Sequence, residues 1–537
     1  MSLRKSTNQV AAQDRANYVH QERSHAEIMV VISALMLAML LAALDQTIVA
    51  TALPRIASDL HGLNKLSWVA TAYLLTSAIS TPLYGKIGDL YGRKKIFQIS
   101  IIIFLAGSAL SGLSQNMDQL VFFRALQGLG AGGLISLVLA IIGDVVPPRQ
   151  RGRYQGYFGA VFGVASIAGP LLGGFLANAN TLLGVSGWRW IFYINVPLGV
   201  LALIAIATRL HLPKFVTEHQ IDYRGATLLS LSAGALIFVS VWAGITYAWG
   251  SWQILSLLIG GLLVGILFVL NERRAKEPIM PISLFKSSIF SVSVILSLLT
   301  GVVMFATILY IPEYQQIVRG YSPIKSGLML FPMVFGIFTA SIGSGRLITR
   351  WGHYRPFPII GGVFIILGLW LFSGLSLSTT QLTLSIWMVV LGLGIGMFMQ
   401  VPVLAVQNSV PFKQMGAGTS SVSFARSIGS SFGGAVFGTI LISRLNSHLR
   451  ILLPQYGGKI SAASIAGGTK GIAHVPLAIQ EKIYGAFVLA FHDLFIYAIP
   501  VAAITLIFAF LLKEMPLRES GKAYAEGEGF DLKGDLA

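Results

Sequence analysis

The sequence predicts an all-α integral membrane protein with two six-helix halves and an inserted two-helix hairpin, fourteen transmembrane helices in all. The composition, the spacing of the apolar runs and an internal repeat all predict this fold class. Hydrophobic residues make up 55% of the 537 positions and charged residues only 11%, against about a quarter charged in soluble domains. Most of the surface of this chain must therefore face lipid.

The apolar runs predict the individual spans. A run of about 20 residues is needed to cross a hydrocarbon core of about 30 Å. The first eight runs lie at 28–52, 66–84, 96–114, 119–142, 154–177, 190–208, 226–246 and 253–270. The other six lie at 289–316, 325–345, 357–375, 382–404, 418–442 and 487–512. We number these predicted spans 1 to 14 in chain order.

An internal repeat divides the spans into two halves. Gly85–Lys95 (GKIGDLYGRKK) and Gly345–Arg355 (GRLITRWGHYR) lie 260 residues apart, and their glycine, basic, aliphatic and aromatic residues recur in register. The same offset relates Gly169 to Gly429. Duplication within a membrane is the architecture of transporters. Spans 1 to 6 and 9 to 14 are therefore the predicted halves, and spans 7 and 8 are inserted between them.

The spans also predict the domain boundaries. These are a cytoplasmic N-terminal segment 1–27, an N-terminal half 28–210, a linker with inserted helices 7 and 8 at 211–275, a C-terminal half 276–512 with a long outer loop 443–486, and a cytoplasmic tail 513–537. A substrate path is expected where the two halves meet, near the middle of the membrane.

The basic residues predict the orientation. If the N-terminus is inside, the segments on its side carry 26 of the 38 Lys and Arg residues, the opposite loops carry 10, and Arg124 and Arg426 lie within spans. Because basic loops are retained in the cytoplasm, both termini and both copies of the repeated loop are predicted to be cytoplasmic. We expect a multi-pass protein of the cytoplasmic (inner) membrane, and a bacterial source is favoured.

Composition and motifs argue against other function classes. The net charge of +17 is spread over many short loops and not along one groove with aromatic platforms, so nucleic acid is not an expected partner. Thiolate chemistry is excluded because the chain has no cysteine. The chain has no phosphate-cradling loop and no metal-ligand spacing, so we predict no cofactor, no metal and no enzymatic activity. An ion gradient remains as the energy source, and protons are favoured over sodium because the candidate carboxylates are isolated.

Five short motifs occur in order along the first half. They are Leu44–Val49 continuing to Ala52–Pro54 in span 1, Gly85–Lys95 after span 2, Arg124–Gly130 in span 4, Gly169–Gly174 in span 5, and Trp188–Pro197 at the start of span 6. Together they resemble the major facilitator superfamily, and specifically its fourteen-span drug/proton antiporter branch, with a match from Leu44 to Arg518. The resemblance implies a major facilitator fold and multidrug efflux by alternating access.

Asp45 and Arg124 are the first candidates for proton coupling. Asp45 lies roughly 10 Å from the outer end of span 1, at about 1.5 Å per residue, and Arg124 lies at a similar depth in span 4. Burying a carboxylate there costs several kcal/mol unless it is paired, hydrated or protonated. Two interpretations are open: a permanent ion pair that holds the half together, or a carboxylate that exchanges a proton as the cavity opens to either side.

Two further acids lie near the outer surface. Glu313, at the end of span 9, is either a solvated side chain or a second proton-coupling group that could also anchor a cationic substrate. Asp493, next to His492 in span 14, is predicted to form an interfacial pair with it.

A charged loop is predicted to gate the transport path. The resemblance implies that Asp89 faces the N-terminal end of a helix in the other half, where the helix dipole favours a carboxylate, and that Arg93 pairs with Asp144. We call these three residues the latch. The second copy has Thr349 in place of Asp89 and His353 in place of Arg93, so the charge symmetry of the latch is broken.

Six other residues complete the predicted gate: Gly85, Gly92, Gly169, Pro170, Gly173 and Arg426. In span 5, the four-residue spacing of the glycines produces a flat face for helix packing, and Pro170 removes one backbone hydrogen bond. Arg426 in span 13 either binds a carboxylate of the other half or reaches toward the cytoplasmic interface.

Six residues are predicted to line the substrate cavity: Gln46, Gln127, Gly128, Tyr310, Met397 and Gln400. Gln127 and Gly128 share a helical face with Arg124. Met397 offers a soft apolar surface that suits varied ligands, although a core or lipid-facing position is the alternative.

The predicted function is proton-coupled efflux of hydrophobic compounds, with cationic ones among the candidates, in exchange for an inward proton on Asp45. The expected partners are these small hydrophobic substrates, protons and the lipid bilayer, and a monomer is expected to function. Two rivals remain open. One is a dedicated exporter of a lipid, glycolipid or metabolite, and the other is a membrane sensor that binds its ligand without moving it.

Overall fold

Fourteen long helices dominate the part of the chain that a computed structural model describes, which is residues 25–62, 65–210, 220–244, 246–454 and 476–517. The first half contains α1 (His25–Asp59), α2 (Leu66–Tyr91), α3 (Arg93–Leu113), α4 (Met117–Val145), α5 (Pro148–Asn178) and α6 (Asn195–Arg209). The insert contains α7 (Tyr223–Trp242) and α8 (Trp252–Glu272). The second half contains α9 (Ser288–Ile317), α10 (Phe331–Trp351), α11 (Pro356–Ser373), α12 (Gln381–Ser409), α13 (Met415–Leu452) and α14 (Leu477–Leu511). Short helices at Trp190–Tyr193 and Pro323–Leu328 lead into α6 and α10.

The predicted all-α membrane fold is confirmed. Thirteen helical segments of the described residues are long and apolar enough to cross a membrane, and α2 is the fourteenth long helix. Hydroxyl side chains interrupt the apolar run of α2 and bond to the backbone of α4. Thr76 Oγ1 donates to the Ala125 carbonyl at 2.7 Å, and Ser80 Oγ donates to the Leu129 carbonyl at 3.1 Å. Polar contacts therefore hold α2 within the bundle in addition to apolar packing.

Helix packing repeats between the halves. In the first half, α2 and α3 pack on α4, and α1 packs on α5. In the second half, α10 and α11 pack on α12, and α9 packs on α13. Each pair in the second half corresponds to the pair eight helices earlier. The sequence repeat is therefore also a structural repeat.

The two halves meet along α5 and α10 and along α2 and α13. The side of the bundle with the α2–α3 and α10–α11 turns carries both copies of the repeated loop, and we call it the motif face. Between α5 and α10 the backbones come very close, because a Cβ on Gly156 would lie 2.9 Å from the Ser341 carbonyl oxygen.

The inserted hairpin lies across the line where α2 and α13 meet. Its helices pack on each other, and α7 also contacts α2 and α13. Away from the motif face, the Trp68 ring of α2 lies 5.7 Å from the Phe238 ring, centroid to centroid. There, Trp249 Nε1 also donates to Thr439 Oγ1 of α13 at 3.0 Å. The insert therefore contacts both halves.

The structure differs from the predicted outer loop 443–486. Helix α13 continues to Leu452 and α14 begins at Leu477, so both ends of that segment are helical, and residues 455–475 lie outside the described residues. A short antiparallel strand pair, β1 (Thr181–Leu182) and β2 (Val185–Ser186), connects α5 to α6 and was not predicted. Of the predicted terminal segments, residues 1–24 and 518–537 also lie outside the described part.

The predicted pairing of Asp493 with His492 is wrong. Asp493 Oδ2 lies 2.9 Å from His448 Nε2 and 3.8 Å from Arg444 Nε, both on α13. His492 Nδ1 instead contacts the Ser373 carbonyl. The reason is geometric, since adjacent residues of a helix point to different sides.

Close packing of α1 on α5 depends on Gly173, and an alanine there should destabilise the protein. A Cβ at this position would lie 2.5 Å from the Ile48 carbonyl oxygen, and overpacking costs about 1–3 kcal/mol. We expect Gly173→Ala to lower the midpoint of thermal unfolding in detergent. Gly260→Ala in α8 is the matched control, because no atom lies within 4 Å of its added Cβ and alanine favours a helix by about 0.5–1 kcal/mol. Equal midpoints for the two variants would contradict the packing argument.

Candidate functional site

Asp45 is held at the centre of a polar cluster in the first half. It lies in α1 and is fully buried. Its Oδ2 accepts a hydrogen bond from Arg124 Nη1 at 2.5 Å, and its Oδ1 accepts from Gln127 Nε2 at 2.8 Å and from Asn195 Nδ2 at 3.2 Å. Three donors on two other helices therefore satisfy one carboxylate.

Arg124 connects this carboxylate to α2. Its side chain is 2% exposed, and Nη1 also donates to Gln127 Oε1 at 2.7 Å. The guanidinium lies 4.2 Å from the centre of the Tyr73 ring, an arrangement that favours a cation–π contact. Gly128 permits this approach, because a Cβ there would lie 2.9 Å from the Tyr73 Cα. The charges of Asp45 and Arg124 thus neutralise each other inside the helix bundle.

Asn195 is a member of the cluster that was not predicted as a site residue. It begins α6 and is fully buried. Its Nδ2 donates to Ser108 Oγ at 3.0 Å as well as to Asp45, while its Oδ1 has no hydrogen-bond partner among the described residues. The only signal in the sequence is its place in the Trp188–Pro197 motif, where it is the one amide side chain.

The latch residues lie at the junction of the halves on the motif face. Asp89 accepts hydrogen bonds from the backbone N–H groups of Gly416 at 3.0 Å and Ala417 at 2.9 Å, in the first turn of α13. Arg93 Nη2 lies 2.6 Å from Asp89 Oδ1, and Arg93 Nη1 pairs with Asp144. A carboxylate at a helix N-terminus is stabilised by the helix dipole, so the latch links α2, α3 and α4 to α13.

Two glycines of the repeated segment Gly85–Lys95 are required for separate structural reasons. Gly92 has φ = +92° at the turn between α2 and α3, a conformation that favours glycine. A Cβ on Gly85 would lie 2.6 Å from the Gly416 carbonyl oxygen, so Gly85 allows α2 to meet α13. Both glycines position Asp89 for its bonds to α13.

A second set of contacts, which was not predicted, joins the halves beside the latch. Arg151 of α5 is 3% exposed and donates to three carbonyls: Val146 at 3.0 Å, Gly143 at 2.5 Å and Gln407 at 3.1 Å. Gln155 Nε2 also donates to Gln407 Oε1 at 2.9 Å. The carbonyls belong to the last turns of α4 and α12, where the helix dipole favours a cation. The signal in the sequence was a basic side chain three residues before the predicted start of span 5.

The second copy of the repeated loop makes different contacts. Thr349 Oγ1 bonds within its own helix to the Gly345 carbonyl at 2.9 Å. The Thr349 carbonyl accepts from Arg149 Nε of α5 at 3.2 Å, while His353 Nδ1 lies 3.2 Å from Glu514 Oε1. This copy therefore meets the other half through a backbone carbonyl and not through a carboxylate.

The predicted cavity residues of the second half are used in helix packing. Tyr310 is 4% exposed, and its hydroxyl donates to the Gly434 carbonyl at 2.8 Å. Gln400 is also 4% exposed, and its Nε2 donates to the Ser341 carbonyl at 2.7 Å. Met397 packs on α11, where a Cβ on Gly361 would lie 3.0 Å from its Cβ. Gln46, half-buried beside Asp45, is the candidate of this set on α1, and a place on the substrate path stays a prediction for all of them.

Arg426 and Glu313 have few polar partners among the residues that the structure describes. Arg426 Nη2 donates to the Met399 carbonyl of α12 at 2.9 Å, and its Nε has no partner. The ion pairs found among the described residues include neither side chain. Of the two interpretations of Arg426, the bond to a carboxylate of the other half is not found among the described residues, and the side chain instead bonds within its own half to the Met399 carbonyl.

Pro170 also contributes to the meeting of the halves. A Cβ on Gly327, which lies just before α10, would be 2.8 Å from Pro170 Cβ. On the other side of the same helix, Gly169 faces α1, with an added Cβ 3.0 Å from the Ile48 backbone nitrogen. Helix α5 is thus packed between α1 and α10.

Two equivalent six-helix halves that meet through a charged latch define a membrane transporter built by internal duplication. The chain belongs to the Major Facilitator Superfamily, whose family profile matches residues 35–434. The resemblance that the motifs predicted is confirmed.

Individual relatives are similar over most of the chain. An uncharacterized MFS-type transporter of Mycobacterium tuberculosis is 39% identical over 505 residues, which is 94% of this chain and 72% of the relative. The multidrug transporter protein MdtP of Bacillus subtilis is 35% identical over 467 residues, 86% of this chain and 85% of the relative. Among solved structures, the proton:xylose symporter XylE has the same fold, with a TM-score of 0.59 and 14% identity over 92% of this chain and 98% of that chain.

Proposed function

We propose that the protein is a proton-coupled exporter of hydrophobic compounds that works by alternating access of its two halves. The proposal rests on Asp45, an ionisable side chain that is fully buried and whose hydrogen-bond partners among the described residues all belong to the first half. A side chain that held the two halves together would need partners in both of them. Proton uptake and release need only a carboxylate whose surroundings change during the cycle.

The surroundings of Asp45 make its charge conditional. A buried carboxylate is stable in the ionised form only while it is paired and hydrogen-bonded, since an uncompensated buried charge costs about 3–5 kcal/mol. When the transport path opens beside α1, water or a cationic substrate can compete for Arg124 and Asp45. Protonation of Asp45 would then shift the balance between the two states of the transporter.

Within this proposal the motif face is cytoplasmic, as the distribution of Lys and Arg predicts. The location is the inner membrane of a bacterium, with both termini in the cytoplasm. The latch bonds from Asp89 to α13 then belong to the state that is closed toward the cytoplasm.

The substrate class rests on the relatives and on the second half. A relative at 35% identity carries the name multidrug transporter, which favours varied hydrophobic substrates. Glu313 is half-buried near the end of α9, and the ion pairs of the described residues do not include it. A cationic, hydrophobic ligand would supply the missing charge, which supports cations among the substrates.

Proton-coupled transport can be measured with the full chain reconstituted in liposomes that contain a pH-sensitive dye. We expect ethidium to drive proton flux in the wild type. In Asp45→Asn, flux should fall to the level of protein-free liposomes while ethidium still binds. Asp118→Asn is the matched control, because Asp118 is exposed and pairs with Lys65 at the surface.

Other outcomes would favour one of the rival functions or contradict the role of Asp45. Binding without flux in the wild type would favour a sensor, and transport of a single compound from a broad panel would favour a dedicated exporter. Full proton-coupled export by Asp45→Asn would contradict the role of Asp45.

A further inference from the structure

Asn195 is placed to respond to the protonation of Asp45. Both side chains are fully buried. When Asp45 is ionised, its Oδ1 accepts from Gln127 at 2.8 Å and from Asn195 at 3.2 Å, and its Oδ2 accepts from Arg124 at 2.5 Å. All three partners donate. A carboxylic acid must instead donate one hydrogen bond, so protonation requires one of these partners to become an acceptor.

Neither Arg124 nor Gln127 can become an acceptor for the protonated Asp45. A guanidinium has no acceptor, so the added proton must go to Oδ1 of Asp45 and not to Oδ2, which faces Arg124. Gln127 Oε1 already accepts from Arg124 Nη1 at 2.7 Å. If the Gln127 amide rotated, two donors would face each other at that contact. Gln127 is therefore fixed in its present orientation.

The side-chain amide of Asn195 can change from donor to acceptor at its contact with Asp45. Its Oδ1 is the acceptor atom of the cluster that has no partner. Its Nδ2 donates to both Asp45 Oδ1 and Ser108 Oγ, and Ser108 Oγ donates to the Phe192 carbonyl at 2.9 Å. After rotation of the amide, Asn195 Oδ1 would lie between the Asp45 acid proton and the Ser108 hydroxyl, which can also rotate to donate. One amide atom of Asn195 lacks a partner in either orientation, and the Phe192 carbonyl gives up its bond from Ser108 when the hydroxyl turns to Asn195 Oδ1.

We propose that the side-chain amide of Asn195 rotates by about half a turn when Asp45 takes up a proton, donating to the carboxylate and accepting from the carboxylic acid. Asn195 is then a positioning residue for proton coupling, and this inference rests on the proposed function. The only covalent change is the transfer of one proton from solvent to Asp45 Oδ1, while the hydrogen bonds that Asn195 Nδ2 donates to Asp45 and Ser108 are exchanged for bonds that Asn195 Oδ1 accepts.

Among the described residues, no other acidic side chain faces Asp45 from the surrounding helices. In the part of the chain that the structure describes, the charged and titratable groups that face Asp45 are Arg124 of α4 and Tyr73 of α2, whose ring lies against the guanidinium. Between Glu27 and Arg55, α1 has no ionisable residue besides Asp45. The sequence has none at 158–178 in α5 or at 96–113 in α3, and Tyr193, just before α6, packs against Gly112.

Infrared difference spectroscopy of the full chain in lipid, recorded as a pH titration, tests the proposal. The carbonyl stretch of protonated Asp45 is identified as the band that is absent in Asp45→Asn. In Asn195→Leu we expect this band to change frequency, because the acid loses its acceptor, while the midpoint of its titration moves by less than about half a pH unit, because both protonation states lose a partner. Proton-coupled ethidium flux should fall about tenfold, the effect of one unpaired buried group. Asn195→Ser, whose hydroxyl can donate or accept, should retain the wild-type band and flux.

Results that would contradict the role of Asn195 differ from those that would contradict the proposed proton coupling. A fixed donor would stabilise only the carboxylate, so in Asn195→Leu the midpoint would rise by about one unit or more with an unchanged band frequency, and the proposal would be overturned. The same conclusion follows if the leucine and serine variants behave alike. If the leucine variant does not fold, Asn195→Ala is measured with the same expectations. A wild type without an Asp45 band would instead overturn the proposed proton coupling itself.

Discussion

Arg124→Leu is expected to destabilise the protein by about 3–5 kcal/mol, the loss found when a buried ion pair is deprived of one partner. The guanidinium is 2% exposed and Asp45 is fully buried, so water cannot replace the missing charge. Gln127 and Asn195 would still donate to Asp45, but neither carries a positive charge. The measurement is the midpoint of thermal unfolding in detergent.

A double variant separates charge from packing. In Asp45→Asn with Arg124→Leu both charges are absent, and we expect most of the lost stability to return, since a buried pair can often be replaced at little net cost. Coupled flux should stay absent in the double variant, because no proton acceptor remains at position 45. Lys65→Leu is the control, since the pair of Lys65 with Asp118 is exposed and such pairs contribute about 0–1 kcal/mol. A loss as large in Lys65→Leu as in Arg124→Leu would show that burial does not set the size of the effect.

Asp89→Asn is expected to open the motif face. The carboxylate accepts from two backbone N–H groups at the start of α13, and hydrogen bonds to charged groups contribute about 1.5–3 kcal/mol each. Losing one such contribution shifts a two-state equilibrium about tenfold or more toward the open state. Arg93 keeps Asp144 as its partner, so the first half itself should remain intact.

The opening can be measured through a single introduced thiol, because the chain has no cysteine. Ser420 is fully buried, and an added Cβ on Gly85 would lie 2.5 Å from its Cβ. We expect Ser420→Cys to react with a polar maleimide about tenfold faster in the Asp89→Asn background. The repeat supplies the control, Thr349→Ala, since Thr349 bonds within its own helix. Equal labelling rates in the two backgrounds would remove the latch role from Asp89.

Residue types and their spacing were enough to predict several parts of the site. The position of Asp45 within an apolar run marked it as unusual, because an ionisable group in lipid is costly. The resemblance to the superfamily supplied the expected partners of Asp89 and Arg93. In contrast, a place for Tyr310 and Gln400 on the substrate path stays a prediction, because a polar side chain on a span can face a neighbouring helix as easily as a cavity.

Apolar runs and repeated glycines were enough to predict that the chain crosses a membrane many times and that it is duplicated. Hydrophobicity is a local property of each run, and lipid requires each run to be long; the duplication is visible because the spacing of glycines survives in both halves. Which side chains meet could be read only from the packed helices. Asn195 reaches Asp45 across 150 residues and Arg151 reaches Gln407 across 256, since hydrogen-bond partners depend on how helices pack and not on any pattern within one helix.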